Sequence, residues 1–327
     1  MKLLIAADHP FELWKAPAWL GQRLERDFPQ LKVVQLPDYD RVPQEIGDTE
    51  IFVGFVLNPA HFAAAKKLKW IHSPAAAVHQ LMYPELINSN VVLTNAREVH
   101  GPVVAEHAIT LVLALAKWLP RAMQYQVKRE WAQQKLWDET PRPREVADAT
   151  VVVVGMGSIG REFTSRAKAL GMNVVAVREN PEKGTDGADK VVSLAQLDDV
   201  LPQADFVVLC VPLTAATTGL INEARLAKMH SGTYLINVGR GQLIDEAALL
   251  QALRDRRIGG AALDVFAKEP LPPESPFWSL ENVLITPHTA AVTKRLWDRH
   301  YKLFCENLTR FLAGQPLLYE VDKKRGY

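Results

Sequence analysis

The sequence predicts an α/β protein of two domains built on parallel sheets, the second domain inserted into the first. Three observations carry this. Short apolar runs alternate with helix-like segments in two series along the chain, the pattern of strands joined by crossover helices. A glycine-rich turn, Gly155-Met156-Gly157-Ser158-Ile159-Gly160, follows the first strand of the second series. The length, 327 residues, suffices for two cores of ordinary size.

In chain order, residues 3–6, 33–36, 51–53, 70–72 and 91–94 read as strands with helical patterns between them. Residues 105–119 form a long, largely apolar helix that something must bury, and 124–138 are polar and aromatic. After Pro141 and Pro143 the second series has strands at 151–154, 173–177, 206–211, 234–238, 261–265 and 283–285. A helix over 294–313 returns to complete the first domain. The boundaries are therefore 1–99 plus 289–327 for the outer domain and 100–288 for the inserted one.

Composition narrows the function classes. The chain is 48% apolar and 23% charged with a formal net charge of +1, so no basic surplus draws it to nucleic acid or anionic lipid. Lys323, Lys324 and Arg325 make only a short basic tail. The first seven residues lack the features of a signal peptide, and no run approaches the roughly 18 apolar residues of a membrane span, so a cytoplasmic enzyme is expected. Cys210 and Cys305 fit neither a disulfide framework nor a metal spacing and read as buried thiols. His72, His79, His100 and His107 are scattered, and no metal is expected.

The glycine-rich turn has a mechanical reading. Gly155 permits a tight turn after the strand, Gly157 lets the backbone approach a pyrophosphate, and Gly160 lets the following helix pack on its strand. Amides at the helix start, with Ser158 and Ile159 among them, then face the anion. With a strand before the turn and a helix and second strand after it, the motif predicts a Rossmann-like dinucleotide site. An acidic residue at the end of that second strand usually takes the ribose hydroxyls of NAD. Here Arg178 stands there; a guanidinium pairs instead with a 2′-phosphate, so NADP is the expected cofactor, with NAD possible through Glu179. Lys183 is a further candidate for that phosphate.

Three other segments fall at strand ends, where the ligand crevice of an open parallel sheet lies. They are Asn237-Val238-Gly239-Arg240-Gly241, Asp264-Val265-Phe266-Ala267-Lys268-Glu269-Pro270 and Thr286-Pro287-His288-Thr289-Ala290. Reduction of a 2-keto acid needs a cation for the substrate, a proton donor for the nascent alkoxide and a partner for that donor. Arg240 offers a forked cation. Histidine titrates near neutral pH and a carboxylate beside it fixes its ring, which assigns the donor to His288 and the partner to Glu269.

Together these motifs make the chain resemble, over nearly its whole length, the D-isomer-specific 2-hydroxyacid dehydrogenases, which include glyoxylate and hydroxypyruvate reductases. The resemblance implies two Rossmann-like or flavodoxin-like domains, with the nucleotide-binding domain inserted into the substrate domain. It implies that Arg240 orients a 2-keto or 2-hydroxy acid and that His288, paired with Glu269, is the general acid and base. The cofactor contacts it implies are the turn residues with Arg178, Val211, Pro212, Val238 and Asp264, the last holding the nicotinamide carboxamide. It further implies a homodimer joined through the long helix, which would account for the apolar character of 105–119, and an arm reaching the partner with Trp131 or Trp137.

Two departures from the family pattern stand out. The loop that binds the substrate carboxylate through backbone amides matches Ser73-Pro74-Ala75-Ala76-Ala77-Val78-His79, with Ala76, Ala77 and Val78 as the binding residues, and alanines replace the usual glycines. Alanine is poorly tolerated at positive φ, so a reshaped loop is expected. Glu98 stands where glycine is common and reads as an exposed carboxylate. Formate dehydrogenase, which has glutamine beside its histidine, is disfavoured by Glu269. A corepressor-like protein that senses the cofactor is the alternative from another class, and the absence of a long disordered or basic extension argues against it.

Overall fold

The computed structural model describes residues 1–324 and Gly326. The chain divides into two compact units, Met1–His100 with the chain from Val292 on, and Gly101–Ala291.

The first unit holds a five-stranded parallel sheet in the order β2-β1-β3-β4-β5, made of β1 (Lys2–Ile5), β2 (Lys32–Gln35), β3 (Ile51–Val53), β4 (Trp70–Ser73) and β5 (Val92–Asn95). This is the flavodoxin-like order. Successive strand side chains face opposite sides, so Leu3 and Ile5 enter one core while Leu4 and Ala6 enter the other. Both faces are covered, which is why the strand reads as a continuous apolar run. Helix Leu296–Leu312 returns to this unit and buries Trp297, Tyr301, Phe304 and Leu308, one helical stripe, against Leu3, Ile5 and Trp70. The basic tail is anchored at its start: Lys323 Nζ donates to the carbonyl oxygens of Leu86, Ser89 and Val91 at 3.2, 2.6 and 3.0 Å. Arg325 lies outside the described residues.

The second unit holds a seven-stranded parallel sheet, in the order β12-β11-β10-β9-β6-β7-β8. Its strands are β6 (Thr150–Val154), β7 (Asn173–Val177), β8 (Lys190–Val192), β9 (Phe206–Leu209), β10 (Tyr234–Asn237), β11 (Gly260–Leu263) and β12 (Val283–Ile285). Counted from β6 this is the Rossmann order extended by one strand, with the chain reversing direction between β6 and β9. Val151 and Val153 face one core and Val152 and Val154 the other. Edge strand β8, three residues long, is too short to show a period and was not expected from the sequence.

Helix Gly101–Ala116 packs on helix Ser158–Ala169, and Ala105, Ala108, Leu111, Val112 and Leu115 are buried within the second unit itself. The apolar character of 105–119 therefore serves this unit's own core. The expected single helix breaks at Trp118, whose φ is 53°, and a second helix, Leu119–Val127, starts with Pro120 in its first turn and bends away by 67°. Proline has no N–H to continue the earlier ladder. Five large apolar side chains in the segment after this break are exposed: Leu119, Met123, Val127, Trp131 and Trp137. Among the described residues no single helix is long and apolar enough to cross a membrane, and no group of three or more His, Cys, Asp or Glu is placed to hold a metal ion. Burial pushes the Cys210 thiol up to about 12 and raises that of Cys305.

Candidate active site

The phosphate turn leaves β6 at the point where the strand order reverses. Gly155 has φ +106°, and a Cβ there would fall 2.9 Å from the carbonyl of Cys210 and from Val211 at the end of β9. A Cβ on Gly160 would fall 1.9 Å from the Gly155 oxygen, so only glycine lets the helix pack this closely. At Gly157 a Cβ would meet nothing within 4 Å, and the backbone opens onto free space ahead of the helix. The first turn of helix Ser158–Ala169 carries no acidic residue. These features fit a dinucleotide pyrophosphate: an open, electropositive helix start with no competing carboxylate in its first turn.

Arg178 follows β7, its side chain 14% exposed. Its Nη1 donates to Gly184 O at 2.9 Å and to Asp186 at 2.8 Å, tying it to the loop after Pro181–Lys183. Nε and Nη2 have no acceptor among the described residues. Lys183 is exposed. Val211 and Pro212 continue from β9, where Thr217 Oγ1 donates to Pro212 O at 2.8 Å, and Val238 is buried beyond β10.

The three segments singled out in the sequence leave the carboxyl ends of neighbouring strands β10, β11 and β12. After β10, Asn237 folds the turn over itself: its Oδ1 accepts from Gly239 N at 3.0 Å and its Nδ2 donates to Arg240 O at 2.9 Å. This leaves Arg240 extended and exposed, with its guanidinium bonded only to Gly239 O at 2.7 Å among the described residues. Gly241 then seats the turn on the next segment, since a Cβ there would fall 1.9 Å from the carbonyl carbon of Phe266. The segment after β11 is held by Glu246, whose Oε1 accepts from Ala267 N at 2.6 Å. Glu269 Oε1 accepts from Phe266 N at 2.9 Å, and its Oε2 lies 2.6 Å from His288 Nδ1.

A carboxylate only accepts, so the proton in the His288–Glu269 contact sits on Nδ1, and a second proton or a lone pair belongs to Nε2. Nε2 has no partner among the described residues, and the His288 side chain is 47% exposed. The His288 backbone has φ 52°, a left-handed conformation held by bonds from its N–H to Asp264 O and Thr286 O. Asp264 is 1% exposed. Its Oδ1 accepts from Thr286 Oγ1 at 2.6 Å and Thr289 N at 2.9 Å, and its Oδ2 from Ala290 N at 3.1 Å. One Oδ2 lone pair is left for a further donor.

In the first unit, the loop after β4 carries Ala75, Ala76, Ala77 and Val78, and none of them adopts positive φ. Alanine therefore fits this backbone without strain. The loop is held by Asn95 Nδ2 donating to Ala76 O at 2.8 Å and by Ala96 N donating to Ala75 O at 3.1 Å. The amides of Ala76, Ala77 and Val78 have no acceptor among the described residues, which leaves three successive donors for an anion.

A family model for the NAD-binding domain of D-isomer-specific 2-hydroxyacid dehydrogenases matches residues 109–290, more than half of the chain. The chain belongs to the D-isomer-specific 2-hydroxyacid dehydrogenases. This is a family of nicotinamide-dependent oxidoreductases. The chain is 34% identical over 260 residues to D-3-phosphoglycerate dehydrogenase of Archaeoglobus fulgidus, a match taking in 79% of this chain and 48% of that one. It thus spans about half the length of the phosphoglycerate dehydrogenases it matches. It is 30% identical over 317 residues to glyoxylate/hydroxypyruvate reductase A of Salmonella newport, covering 95% of this chain and 96% of that one. The NADPH-dependent glyoxylate/hydroxypyruvate reductase of Sinorhizobium meliloti, solved with NADP and sulfate, is similar with a TM-score of 0.82 at 28% identity, over 100% of this chain and 99% of that one.

Two residues that build the site within this family fold were not singled out from the sequence. Glu246 lies 23 residues before Glu269 at the start of helix Glu246–Arg254, and Asn237 was read only as part of a motif. Glu246 bonds a backbone N–H 21 residues on, which leaves no signal in spacing, while Asn237 works inside its own motif.

Proposed function

We propose that the chain reduces a small 2-keto acid to the D-2-hydroxy acid with NADPH, and catalyses the reverse oxidation. The observation that carries this reading is the 2.6 Å contact between His288 Nδ1 and Glu269 Oε2 at the strand ends of a Rossmann sheet. When bound, the nicotinamide supplies the hydride. Glu269, itself oriented by Phe266 N, holds the imidazole ring through Nδ1, so His288 Nε2 is the atom that faces the substrate and gives a proton to the carbonyl oxygen. In oxidation the same nitrogen takes the hydroxyl proton. Arg240, exposed and uncommitted apart from Gly239 O, pairs with the substrate carboxylate and polarises the carbonyl. Within the first unit, the amides of Ala76, Ala77 and Val78, free among the described residues, are donors that suit a carboxylate.

NADP is the proposed cofactor. Gly155, Gly157, Ser158, Ile159 and Gly160 would hold its pyrophosphate, Val211, Pro212 and Val238 would line it, and the remaining Asp264 lone pair would take the carboxamide. The Arg178 guanidinium, with Nε and Nη2 uncommitted, would take the 2′-phosphate. The NADP-bound relative supports this reading, and the reductases and dehydrogenases among the relatives favour turnover over cofactor sensing. A homodimer is proposed as well, formed by the exposed arm that includes Trp131 and Trp137.

The test is steady-state oxidation of NADPH and NADH with glyoxylate, hydroxypyruvate, pyruvate and branched or aromatic 2-keto acids. Turnover with at least one acid and a preference for NADPH are expected. Arg178→Ala should raise the KM for NADPH about tenfold or more while leaving that for NADH nearly unchanged, the worth of one charge-assisted phosphate contact. Equal losses with both cofactors would show that Arg178 does not read the phosphate.

A further inference from the structure

We propose that His107, on helix Gly101–Ala116, is a positioning residue for the turn that carries His288, acting through Thr286 and Asp264. This rests on the reading of His288 as the proton donor.

Helix Gly101–Ala116 is nearly all apolar; Glu106, His107 and Thr110 are its polar side chains apart from the glycine and proline of its first turn. Glu106 and Thr110 are exposed, but the His107 side chain is only 20% exposed, and a buried imidazole is costly without a partner. Its Nε2 lies 3.0 Å from Thr286 Oγ1. The direct approach of Nε2 to Asp264 Oδ1, at 3.5 Å, is longer, so the hydroxyl is the partner.

The protons in this chain can be placed. Asp264 is a buried acceptor, and Thr286 has one hydroxyl proton, which the 2.6 Å contact gives to Asp264 Oδ1. Thr286 Oγ1 therefore receives its second bond, from His107 Nε2–H. Burial lowers the His107 pKa, outweighing the nearby Asp264 charge, so the ring is neutral with its single proton on Nε2. The result is a directed relay from helix to hydroxyl to carboxylate. Asp264 passes the constraint on, because its carboxylate also takes Thr289 N and Ala290 N and its backbone oxygen takes His288 N at 2.9 Å. His288 sits at φ 52°, a conformation that persists only when its surroundings hold it. Without the His107 donor, Thr286 is free to rotate away from Asp264, and the anchor of the whole turn loosens. Hydrogen-bonded partners behind a functional histidine commonly act this way.

Two measurements test this. In the cofactor-free protein, long-range 15N–1H spectra of the imidazoles should show His107 as the Nε2–H tautomer, and His107→Leu and Thr286→Val should each shift the His288 ring resonances. In turnover, both variants should lose about 10- to 100-fold in kcat with less than about threefold change in KM for the cofactor, the size expected for a misplaced reacting group. The double variant should lose no more than either single one, and His107→Gln, whose amide can donate to Thr286, should recover most of the activity. An Nδ1–H tautomer for His107, or unshifted His288 resonances with wild-type kcat in the Leu variant, would overturn the proposal. If His107→Leu does not fold, the tautomer and Thr286→Val decide. If wild type turns over no 2-keto acid the proposed function fails, while the tautomer and the His288 resonances still report on the relay.

Discussion

Glu269 accepts from both sides, Phe266 N at one oxygen and His288 Nδ1 at the other, so its orientation is fixed before any substrate arrives. Glu269→Gln keeps the shape and removes the charge. Reduction should then fall about 10²- to 10⁴-fold, the range for loss of acid–base assistance. Wild-type kcat in the variant would remove Glu269 from the proton transfer. Arg240, Glu269 and His288 were legible in the sequence because each stands in a short motif after an apolar run. The residues that hold them were not. Glu246 and His107 reach partners 21 and 179 residues away, which only the fold brings together, whereas Asn237 acts within its own turn.

At the scale of elements, the strands and the last helix of the first unit bury histidines that the proposed chemistry does not use. His72 on β4 bonds Thr94 Oγ1 at 2.8 Å, and Trp70 Nε1 donates to the same oxygen at 2.9 Å. His72 Nε2 and His300 Nδ1 have no partner among the described residues, and Phe304 and Trp297 pack against the two rings. Burial lowers His72 to about 3 and His300 well below its ordinary value, where the neighbouring His100 and His72 push it further. Both folded values lie below the unfolded one, so the unfolded chain takes up protons first as pH falls. Stability is full above about pH 6.5 and declines below it at roughly 1.4 kcal/mol per pH unit for each ring. Urea unfolding at pH 7.5 and 5.0 should therefore show a loss smaller by about 2 kcal/mol in His72→Asn than in wild type. An equal loss would contradict the assignment. The strands themselves were legible from their apolar runs. The break at Trp118 was hidden because the apolar character runs past it, although Pro120 marks where the second helix begins.

For the whole molecule, the exposed apolar side chains that follow the break account best for an assembly. Val127 is 85% and Trp131 92% exposed, and aromatic side chains of this size bury roughly 150–250 Å² each when covered. Light scattering at about 10 μM should give twice the 36.5 kDa chain mass, and Val127→Glu with Trp131→Glu should return it to a monomer. A monomeric wild type would contradict the dimer. The sequence offered two surfaces for this contact, the helix over 105–119 and the arm with Trp131 and Trp137. The helix is buried in its own unit, and composition alone does not tell a buried helix from an exposed one. The central claim, hydride reduction to the D-isomer, is tested most directly by the product itself. Hydroxypyruvate and NADPH incubated with the protein and resolved on a chiral column should give D-glycerate in step with NADPH oxidation. L-glycerate, or no NADPH oxidation with hydroxypyruvate or any other acid of the panel, would contradict the claim.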